Sequence, residues 1–288
     1  MTCFDWSSLN TAAVRTRLAS RATELGFGTA HLSFEASIAS TNTALLQAPF
    51  IGQAQPPTAL VAAEQSAGRG RQGRVWLSQP GRSACLSLAL EFKHSTVANP
   101  GLPLAIGVGL AQAFAPRVPE LALKWPNDLL RAGRKCAGIL IESRRGAGLS
   151  GELERVVIGV GLNLFAPADA APLLASGLFD DVEPPELDWV VATALDAMLG
   201  AAMLHRAQGL EAFAEAWSRL DAYRDLPVVV SDAGRVIAQG INLGLGSGGA
   251  LRVMDARAEV QVITGDVSLR PVATARQISL PQASSCVR

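Results

Sequence analysis

The stretch Gln65–Trp76 reads Gln-Ser-Ala-Gly-Arg-Gly-Arg-Gln-Gly-Arg-Val-Trp and lies between two apolar runs. Three glycines alternate with three arginines over residues 68–74. Glycine allows the backbone to adopt positive φ angles and to approach a ligand closely, while arginine presents a planar fork of donors to phosphate or carboxylate oxygens. The stretch therefore predicts a loop that binds an anion, with the rest of the chain supplying the walls around it.

Three alternatives to an anion-binding loop arise from the same residues. Gly68, Gly70 and Gly73 match the dinucleotide fingerprint G-x-G-x-x-G, which has to open a helix. Pro80 and Gly81 follow where that helix would run, so the sequence disfavours this alternative. An Arg/Gly segment can also bind single-stranded RNA, but here the segment is short and the chain is neutral. A mobile surface loop without a function is the third alternative.

Four further motifs flank the loop. They are Ser40–Asn42 upstream, and Lys124–Asp128, Lys135–Leu140 and Gly159–Asn163 downstream. In this order and spacing, and together with the loop, they resemble the biotin protein ligase family over residues 30–271. The resemblance implies an α+β fold, in which a class II synthetase-like mixed β-sheet is covered by helices and followed by a small C-terminal SH3-like β-barrel.

The resemblance and the change in composition along the chain divide the sequence into four segments. We predict an N-terminal helical arm over 1–30, a catalytic biotin- and ATP-binding domain over 31–222, the SH3-like domain over 223–271 and a disordered tail over 272–288. Bifunctional members of the family carry an N-terminal winged helix that binds DNA. A small domain that folds alone needs roughly 55 to 65 residues, and only about 30 precede the first predicted strand. We therefore expect the monofunctional form, without specific DNA binding.

Composition and charge are those of an ordinary globular enzyme. The 288 residues are 49% hydrophobic and 17% charged, with 25 basic and 25 acidic side chains. A formal net charge of zero gives no overall field that would attract nucleic acid or an anionic membrane. Cys3, Cys85, Cys136 and Cys286 show no paired spacing, which indicates a reducing compartment. The sequence has no signal-peptide pattern and no uninterrupted apolar stretch of ~18 residues, so we expect a cytoplasmic protein without membrane contact.

Hydrophobic periodicity predicts the main helices and strands. The predicted helices cover residues 7–25, 43–48, 100–115, 187–204 and 209–220, and residues 166–185 are predicted to form a long surface connection. The predicted strands of the main domain are 32–35, 58–63, 84–92, 121–124, 135–142 and 155–164, and those of the C-terminal domain are 227–230, 236–237, 251–254, 260–263 and 267–269.

No pattern in the sequence points to covalent catalysis by the protein. There is no Ser/His/Asp arrangement, and His31, His94 and His205 lack metal-ligand spacing. The cations and amides around the loop suit a displacement at phosphorus, in which positioning and charge stabilisation carry the rate. The family resemblance implies that the carboxylate of biotin attacks the α-phosphorus of ATP, and that a carrier-protein lysine then attacks the biotinyl-adenylate.

By resemblance, the motif residues take three roles. The catalytic group is Lys135, Arg71 and Arg69, because two anions have to be brought together and their charge neutralised. Lys135 is expected against the biotin carboxylate and the α-phosphate. The expected biotin-binding residues are Ser40, Thr41, Asn42, Gln65, Gly68, Arg69, Gly70, Arg71, Lys135, Gly138 and Gly161. The expected ATP- or adenylate-binding residues are Arg71, Arg74, Trp76, Lys124, Asn127, Asp128, Lys135 and Asn163. Mg²⁺ is expected with ATP, without a dedicated protein site.

Several of these residues also have structural explanations. One member of Ser40–Asn42 can simply cap the helix that follows. The Pro-Asn-Asp sequence at 126–128 is ordinary turn chemistry. Lys124 ends an apolar strand and needs an anionic partner, which is either Asp128 or a substrate phosphate. Trp76 and Trp125 are either core residues or ligand contacts, and Arg270 is a further candidate for contact with the nucleotide.

Two other functions remain open. A lipoate or octanoate ligase of the same fold group also activates a carboxylic acid and passes it to a carrier lysine, although the Gly-Arg-Gly-Arg loop favours biotin. A non-enzymatic biotin-sensing repressor would need a DNA-binding domain. The chain departs from the family pattern at Cys136 and by one extra residue in 131–134, neither of which touches the assigned chemistry. The expected partner is a biotin carboxyl carrier protein, and the expected oligomeric state is a monomer or homodimer.

Overall fold

The computed structural model describes residues 3–93, 101–149, 151–168, 175–232 and 235–263, and the backbone of 267–271. The helices are α1 (Thr11–Glu24), α2 (Thr41–Gln47), α3 (Leu102–Phe114), α4 (Leu187–Gln208) and α5 (Ala214–Leu220). The strands are β1 (His31–Ile38), β2 (Thr58–Gln65), β3 (Ser83–Lys93), β4 (Leu121–Lys124), β5 (Asp128–Arg131), β6 (Arg134–Gly148), β7 (Gly151–Asn163), β8 (Pro227–Asp232), β9 (Arg235–Leu245), β10 (Leu251–Met254), β11 (Glu259–Val262) and β12 (Val267–Pro271).

The N-terminal arm is a helix whose start and buried face follow from its sequence. The Asn10 side chain accepts a hydrogen bond from the backbone N–H of Ala13 at 3.0 Å, which makes it the N-cap of α1. Val14, Leu18 and Ala22 are spaced four residues apart, lie on one face and are buried. This face packs against α4 and β1. The helix predicted over 7–25 is therefore confirmed, with a slightly later start.

Seven strands form the main sheet in the order β1-β2-β3-β7-β6-β5-β4. The β1–β2 pair is parallel and every other neighbouring pair is antiparallel. The sheet is therefore mixed, as predicted. Its central strands β3, β7 and β6 are long and neighbours in space, although β3 and β7 are separated in sequence by α3 and the three strands β4, β5 and β6. This arrangement brings three of the motifs onto adjacent strands.

The two faces of the sheet pack against different helices. On β3, the alternate residues Leu86, Leu88 and Leu90 are buried in the main core, together with α3 and α4. The intervening Ala89 faces the other way and belongs to a smaller cluster with Leu45 of α2. Period-two alternation of side chains explains this division. The face that carries α2 is also the face on which the polar motif residues collect.

α4 is long and apolar enough to cross a membrane by length and composition alone. It packs against α1 and α3, and its buried residues include Val190, Ala194 and Met198 in the main core. Because 61% of its most apolar window is buried inside the protein, we interpret α4 as a core helix.

A second, five-stranded sheet follows in the order β11-β10-β9-β8-β12. It is held against the main domain by a hydrogen bond from the indole N–H of Trp125 to the carbonyl of Gly249 at 3.0 Å. The carboxamide of Asn242 donates to Asp221 at 3.0 Å on the main-domain side. The small C-terminal β domain is confirmed, whereas its SH3-like class and the boundary at residue 223 stay predictions.

The structure adds to the predicted elements in several places, three of which bear on the site. Asp128 starts strand β5 rather than only ending a turn, because it pairs with Gly138 of β6. β6 and β7 extend beyond their predicted ends into a hairpin that closes at Gly148 and Gly151. Residues 71–73 form a short 3-10 turn and residues 74–82 contain no helix, which removes the dinucleotide alternative. The predicted tail 272–288, with Cys286, and residue His94 lie outside the described residues.

Candidate active site

A cavity of about 660 Å³ lies between the Gly/Arg loop, defined as residues 68–76, and the α2 face of the main sheet. Most of the predicted site residues line it: Ser40, Thr41, Asn42, Gln65, Arg69, Gly70, Arg71, Arg74, Trp76, Lys124, Asn127, Asp128, Lys135, Gly138 and Gly161. They come from α2, the Gly/Arg loop and several strands of the main sheet, so the fold brings together motifs that are far apart in sequence.

The floor of the cavity is a row of residues on four adjacent strands. Asp128 pairs with Gly138, Gly138 with Gly161, and Gly161 with Cys85. Strand spacing makes this row about 14 Å long. Its two central positions have no side chain, which leaves a shelf of bare backbone. The indole of Trp76 lies over the shelf, since an ideal Cβ on Gly161 would come within 2.3 Å of that ring.

At one end of the cavity, hydroxyl and amide groups form a buried network. The backbone N–H and the hydroxyl of Thr41 both donate to the side-chain oxygen of Gln65, at 2.7 and 3.0 Å. The hydroxyl of Ser87 on β3 lies 2.7 Å from that of Thr41 and 2.6 Å from the Asn42 carboxamide oxygen. Polar groups held in this way are suited to orient a neutral ligand group with amide character.

One residue of Ser40–Asn42 caps helix α2 and the other two do not. The Ser40 side chain accepts from the backbone N–H of Thr43 at 3.3 Å, so Ser40 is the N-cap of α2. Thr41 and Asn42 are buried and bond to strands of the sheet instead. Capping therefore accounts for Ser40 alone, and the other two residues shape the cavity wall.

The opposite end of the cavity carries positive charge. Lys124, Lys135 and Arg71 meet here around Asp128 and Asn127. The ammonium of Lys135 lies 2.6 Å from one oxygen of Asp128, and that of Lys124 lies 4.0 Å from the other. Asp128 is thus a partner of both lysines. The excess of positive charge leaves this end able to receive more than one anionic group.

Asn127 ties the cationic end to the Gly/Arg loop. Its carboxamide nitrogen donates to the carbonyl of Ile139 at 2.8 Å, and its oxygen accepts from the guanidinium of Arg71 at 3.4 Å. The turn predicted at 126–128 therefore does have a structural role. It also orients Asn127 so that its oxygen meets an arginine of the loop.

The Gly/Arg loop is folded back on itself. The N–H of Gly70 donates to the carbonyl of Arg74 at 2.7 Å, and the N–H of Trp76 donates to the carbonyl of Gly68 at 2.9 Å. Gln72 at the tip has a φ of 59°. These bonds leave the arginine side chains projecting from a compact hairpin, which is the arrangement that an anion-binding loop requires.

Cys85 closes one end of the glycine shelf. Burial raises the pKa of its thiol to about 11, with the neighbouring polar side chains of Ser78, Trp76 and Gln65 acting in the opposite direction. A thiol with that pKa is protonated at neutral pH and is a poor nucleophile. Its position in the wall therefore fits a packing role, in agreement with the absence of a covalent-catalysis pattern in the sequence.

Two predicted residues do not reach the cavity wall. Gly68 lies behind the loop, where an ideal Cβ would come within 2.6 Å of the carbonyl oxygen of Trp76, so glycine is needed for the close backbone approach. Asn163 is buried, and its carboxamide lies 3.5 Å from the carbonyl of Lys135. It holds β7 to the start of β6 rather than facing the cavity. The side chain of Arg270 lies outside the described residues.

Sequence reasoning missed several residues of the site, among them Ser87, Glu142, Cys85 and Tyr223. Ser87 and Glu142 bond to the motif residues, while Cys85 and Tyr223 line the cavity. The alternation along β3 gave a usable signal, because Cys85 and Ser87 occupy the face opposite to Leu86 and Leu88. Tyr223 follows α5, and no local pattern places it near the cavity.

The described residues contain no cluster of three or more His, Cys, Asp or Glu side chains that could hold a metal ion. Asp128 is the one carboxylate among the residues lining the cavity, and both of its oxygens face lysine ammonium groups. A magnesium ion there would be held mainly by substrate phosphates and water, which is its usual mode of binding with nucleotides.

The fold and the cavity together define a class of proteins, the biotin/lipoate A/B protein ligase family, whose family model matches residues 34–163. The bifunctional ligase/repressor BirA of Salmonella typhimurium is 32% identical over 237 residues, which cover 81% of this chain and 72% of the relative. The biotin–[acetyl-CoA-carboxylase] ligase of Mycobacterium tuberculosis is 35% identical over 176 residues, covering 59% of this chain and 63% of the relative. This chain belongs to the biotin protein ligase family.

The similarity extends to solved structures. Biotin protein ligase from Aquifex aeolicus, solved in complex with biotin and ATP, superposes with a TM-score of 0.66 at 23% identity. The match covers 84% of this chain and 99% of that chain. The likeness confirms the predicted α+β fold.

Proposed function

We propose that this protein is an ATP-dependent ligase that activates biotin as biotinyl-5′-AMP and transfers it to a lysine of a biotin carboxyl carrier protein. The observation that carries the proposal is the cavity itself. A shelf of glycine backbone, covered by the Trp76 indole, runs between a network of amides and hydroxyls and a cationic end formed by Lys124, Lys135 and Arg71. An apolar bicycle with a ureido head and a carboxylate tail fits such a site, with the tail directed to the cations.

In the first step, a carboxylate oxygen of biotin attacks the α-phosphorus of ATP, the bond from phosphorus to the bridging oxygen breaks, and pyrophosphate leaves. Lys135 neutralises the carboxylate and the α-phosphate, with Arg69 and Arg71 from the loop. Arg74, Trp76, Lys124, Asn127 and Asp128 hold the nucleotide and the adenylate. Mg²⁺ bound with ATP would be held mainly by the phosphates, with Asp128 as the nearest carboxylate, and would supply positive charge for the leaving pyrophosphate.

In the second step, the ε-amine of the carrier lysine attacks the acyl carbon of the mixed anhydride. An amide forms, the bond from the acyl carbon to the phosphate oxygen breaks, AMP leaves and the amine loses a proton. No nucleophile of the ligase is required, which agrees with the protonated thiol of Cys85. We place the reaction in the cytoplasm. We propose no specific DNA contact, because a formal net charge of zero gives no overall field that would attract nucleic acid.

The test of this function is ATP–pyrophosphate exchange driven by each candidate acid. We expect exchange with biotin, because Thr41, Gln65 and the network behind them supply groups for a ureido head. We expect little exchange with lipoate or octanoate, which have no such head and would form no hydrogen bonds with those groups. Equal or greater exchange with lipoate or octanoate would replace the assignment with the alternative ligase of the same fold group.

A second test concerns the glycine shelf. An ideal Cβ at position 161 would overlap the Trp76 indole at 2.3 Å, so the ring would be pushed upward or the strand displaced. We expect Gly161→Ala to weaken biotin binding by about tenfold or more, the usual scale of overpacking. Calorimetric titration with biotin measures the effect, and thermal unfolding checks the fold. Unchanged affinity would show that biotin does not lie on the shelf.

A further inference from the structure

Glu142 on β6 joins two parts of the site that come from different places in the chain. One carboxylate oxygen accepts from the Asn42 carboxamide nitrogen at 2.9 Å, and the other accepts from the guanidinium of Arg69 at 3.2 Å. The first partner belongs to α2 and the second to the Gly/Arg loop. Glu142 does not itself line the cavity, and its side chain is 22% exposed. It therefore acts on a ligand only through the residues it holds.

The orientation of Asn42 depends on this carboxylate. The Asn42 nitrogen faces two acceptors, Glu142 and, at 3.4 Å, the carbonyl of Leu140, while its oxygen accepts from Ser87. Both polar ends of the carboxamide are thus engaged within the protein. The group lies directly over β7, since an ideal Cβ on Gly159 would come within 2.2 Å of its oxygen. Asn42 therefore shapes the amide end of the cavity, and Glu142 fixes which way its carboxamide points.

Arg69 of the Gly/Arg loop is the second residue that Glu142 holds in place. It donates to the hydroxyl of Thr43 at 2.9 Å as well as to Glu142. Its side chain is 47% exposed, so these two contacts anchor a group that would otherwise move with the loop. A chain of hydrogen bonds thus runs from the loop arginine through Glu142 and Asn42 to Ser87.

We propose that Glu142 is a positioning residue, which sets the Asn42 carboxamide and the Arg69 guanidinium in one arrangement so that the amide end of the cavity and the anion-binding loop form together. The kinetic consequence of this inference rests on the proposed function. A carboxylate suits the role because both of its oxygens are acceptors facing donors. Glutamine has nearly the same shape but only one acceptor, so its NH₂ group would face a donor from either Asn42 or Arg69.

The kinetic test is Glu142→Gln, assayed by biotin-dependent ATP–pyrophosphate exchange. We expect the KM for biotin to rise about 10- to 100-fold, the effect of one lost charge-assisted contact. We expect kcat to fall as well, because Arg69 also belongs to the group that neutralises the reacting anions, while the KM for ATP changes far less. The matched control is Glu152→Gln at the tip of the same hairpin. There Glu152 is 58% exposed and lies 3.9 Å from Arg145, so its kinetics should be unchanged. An unchanged KM for biotin in Glu142→Gln overturns the proposal.

A second measurement does not depend on catalysis. Trypsin cleaves after arginine where the backbone is free to unfold locally, so loss of the anchor at Arg69 should speed cleavage within residues 69–74. We expect faster cleavage in Glu142→Gln than in Glu152→Gln or the wild type, with equal thermal unfolding temperatures. If the wild type shows no biotin-dependent exchange, the proposed function fails. The cleavage rates alone then test whether Glu142 anchors Arg69. Equal rates in Glu142→Gln, Glu152→Gln and the wild type overturn that role.

Discussion

Replacing Lys135 with methionine is expected to lower the rate of biotinyl-adenylate formation by about three orders of magnitude. Two unit charges 4 Å apart repel by about 4 kcal/mol at the effective dielectric constant of a protein surface, and a cation between them removes that barrier. The Lys135 ammonium reaches back over the glycine shelf, 3.1 Å from an ideal Cβ on Gly138. That position lies at the boundary between the proposed biotin and phosphate ends.

The measurement is single-turnover formation of adenylate from biotin and ATP. Methionine keeps most of the aliphatic stem, and Lys135 is 35% exposed, so the fold should be retained. The matched control is Lys93→Met, because Lys93 is an exposed lysine at the end of β3 and does not line the cavity. Near-normal adenylate formation in Lys135→Met would show that this lysine only balances the charge of Asp128.

The pairing of Lys135 with Asp128 bears on how the site receives its substrates. At 2.6 Å the two charges neutralise one another, while Lys124 stands 4.0 Å from the second oxygen of the same carboxylate. An incoming phosphate can then share Lys135 while Lys124 remains near Asp128. A cation that already has an anionic partner is held in place before the substrate arrives, which reduces the ordering cost of binding.

The fold class and most of the cavity residues were predicted from the resemblance of the motifs to the biotin protein ligase family, and local signals agree with several of those residues. Glycines inside β6 and β7 indicated close approach of a ligand, and Gly138 and Gly161 do form the floor of the cavity. The interleaved glycines and arginines of residues 68–74 indicated a loop that presents hydrogen-bond donors to an anion. Lys124 at the end of an apolar strand needed an anion, and Asp128 provides one.

The residues that were missed act through pairings over long sequence distances. Ser87 meets Asn42 across 45 positions and Glu142 meets it across 100. Those contacts depend on the order of β3, β7 and β6 in the sheet and on their register, which periodicity along one strand does not specify. The surroundings of Asn163 likewise depend on strand pairing. It matched the family motif, but its side chain turns toward the backbone at the start of β6.

Substituting Arg71 with glycine is expected to separate synthesis of the adenylate from its retention. The guanidinium of Arg71 lies 3.4 Å from the Asn127 oxygen, on the loop side of the cavity mouth, whereas Lys135 lies on the floor. Arg69 and Lys135 therefore remain to support the displacement in this variant. Loss of one charge-assisted contact, worth about 1.5 to 3 kcal/mol, should speed escape of the intermediate about 10- to 150-fold.

The escaped mixed anhydride would acylate exposed lysines of unrelated proteins, so the measurement is biotin transfer to serum albumin added in excess. The control is Arg145→Gly, which makes the same substitution at an arginine that is 65% exposed and distant in the fold on the β6–β7 hairpin. It should label albumin no more than the wild type does. If Arg71→Gly still makes adenylate but labels albumin only at that background level, the loop does not retain the intermediate through Arg71, and its arginines serve the chemical step alone.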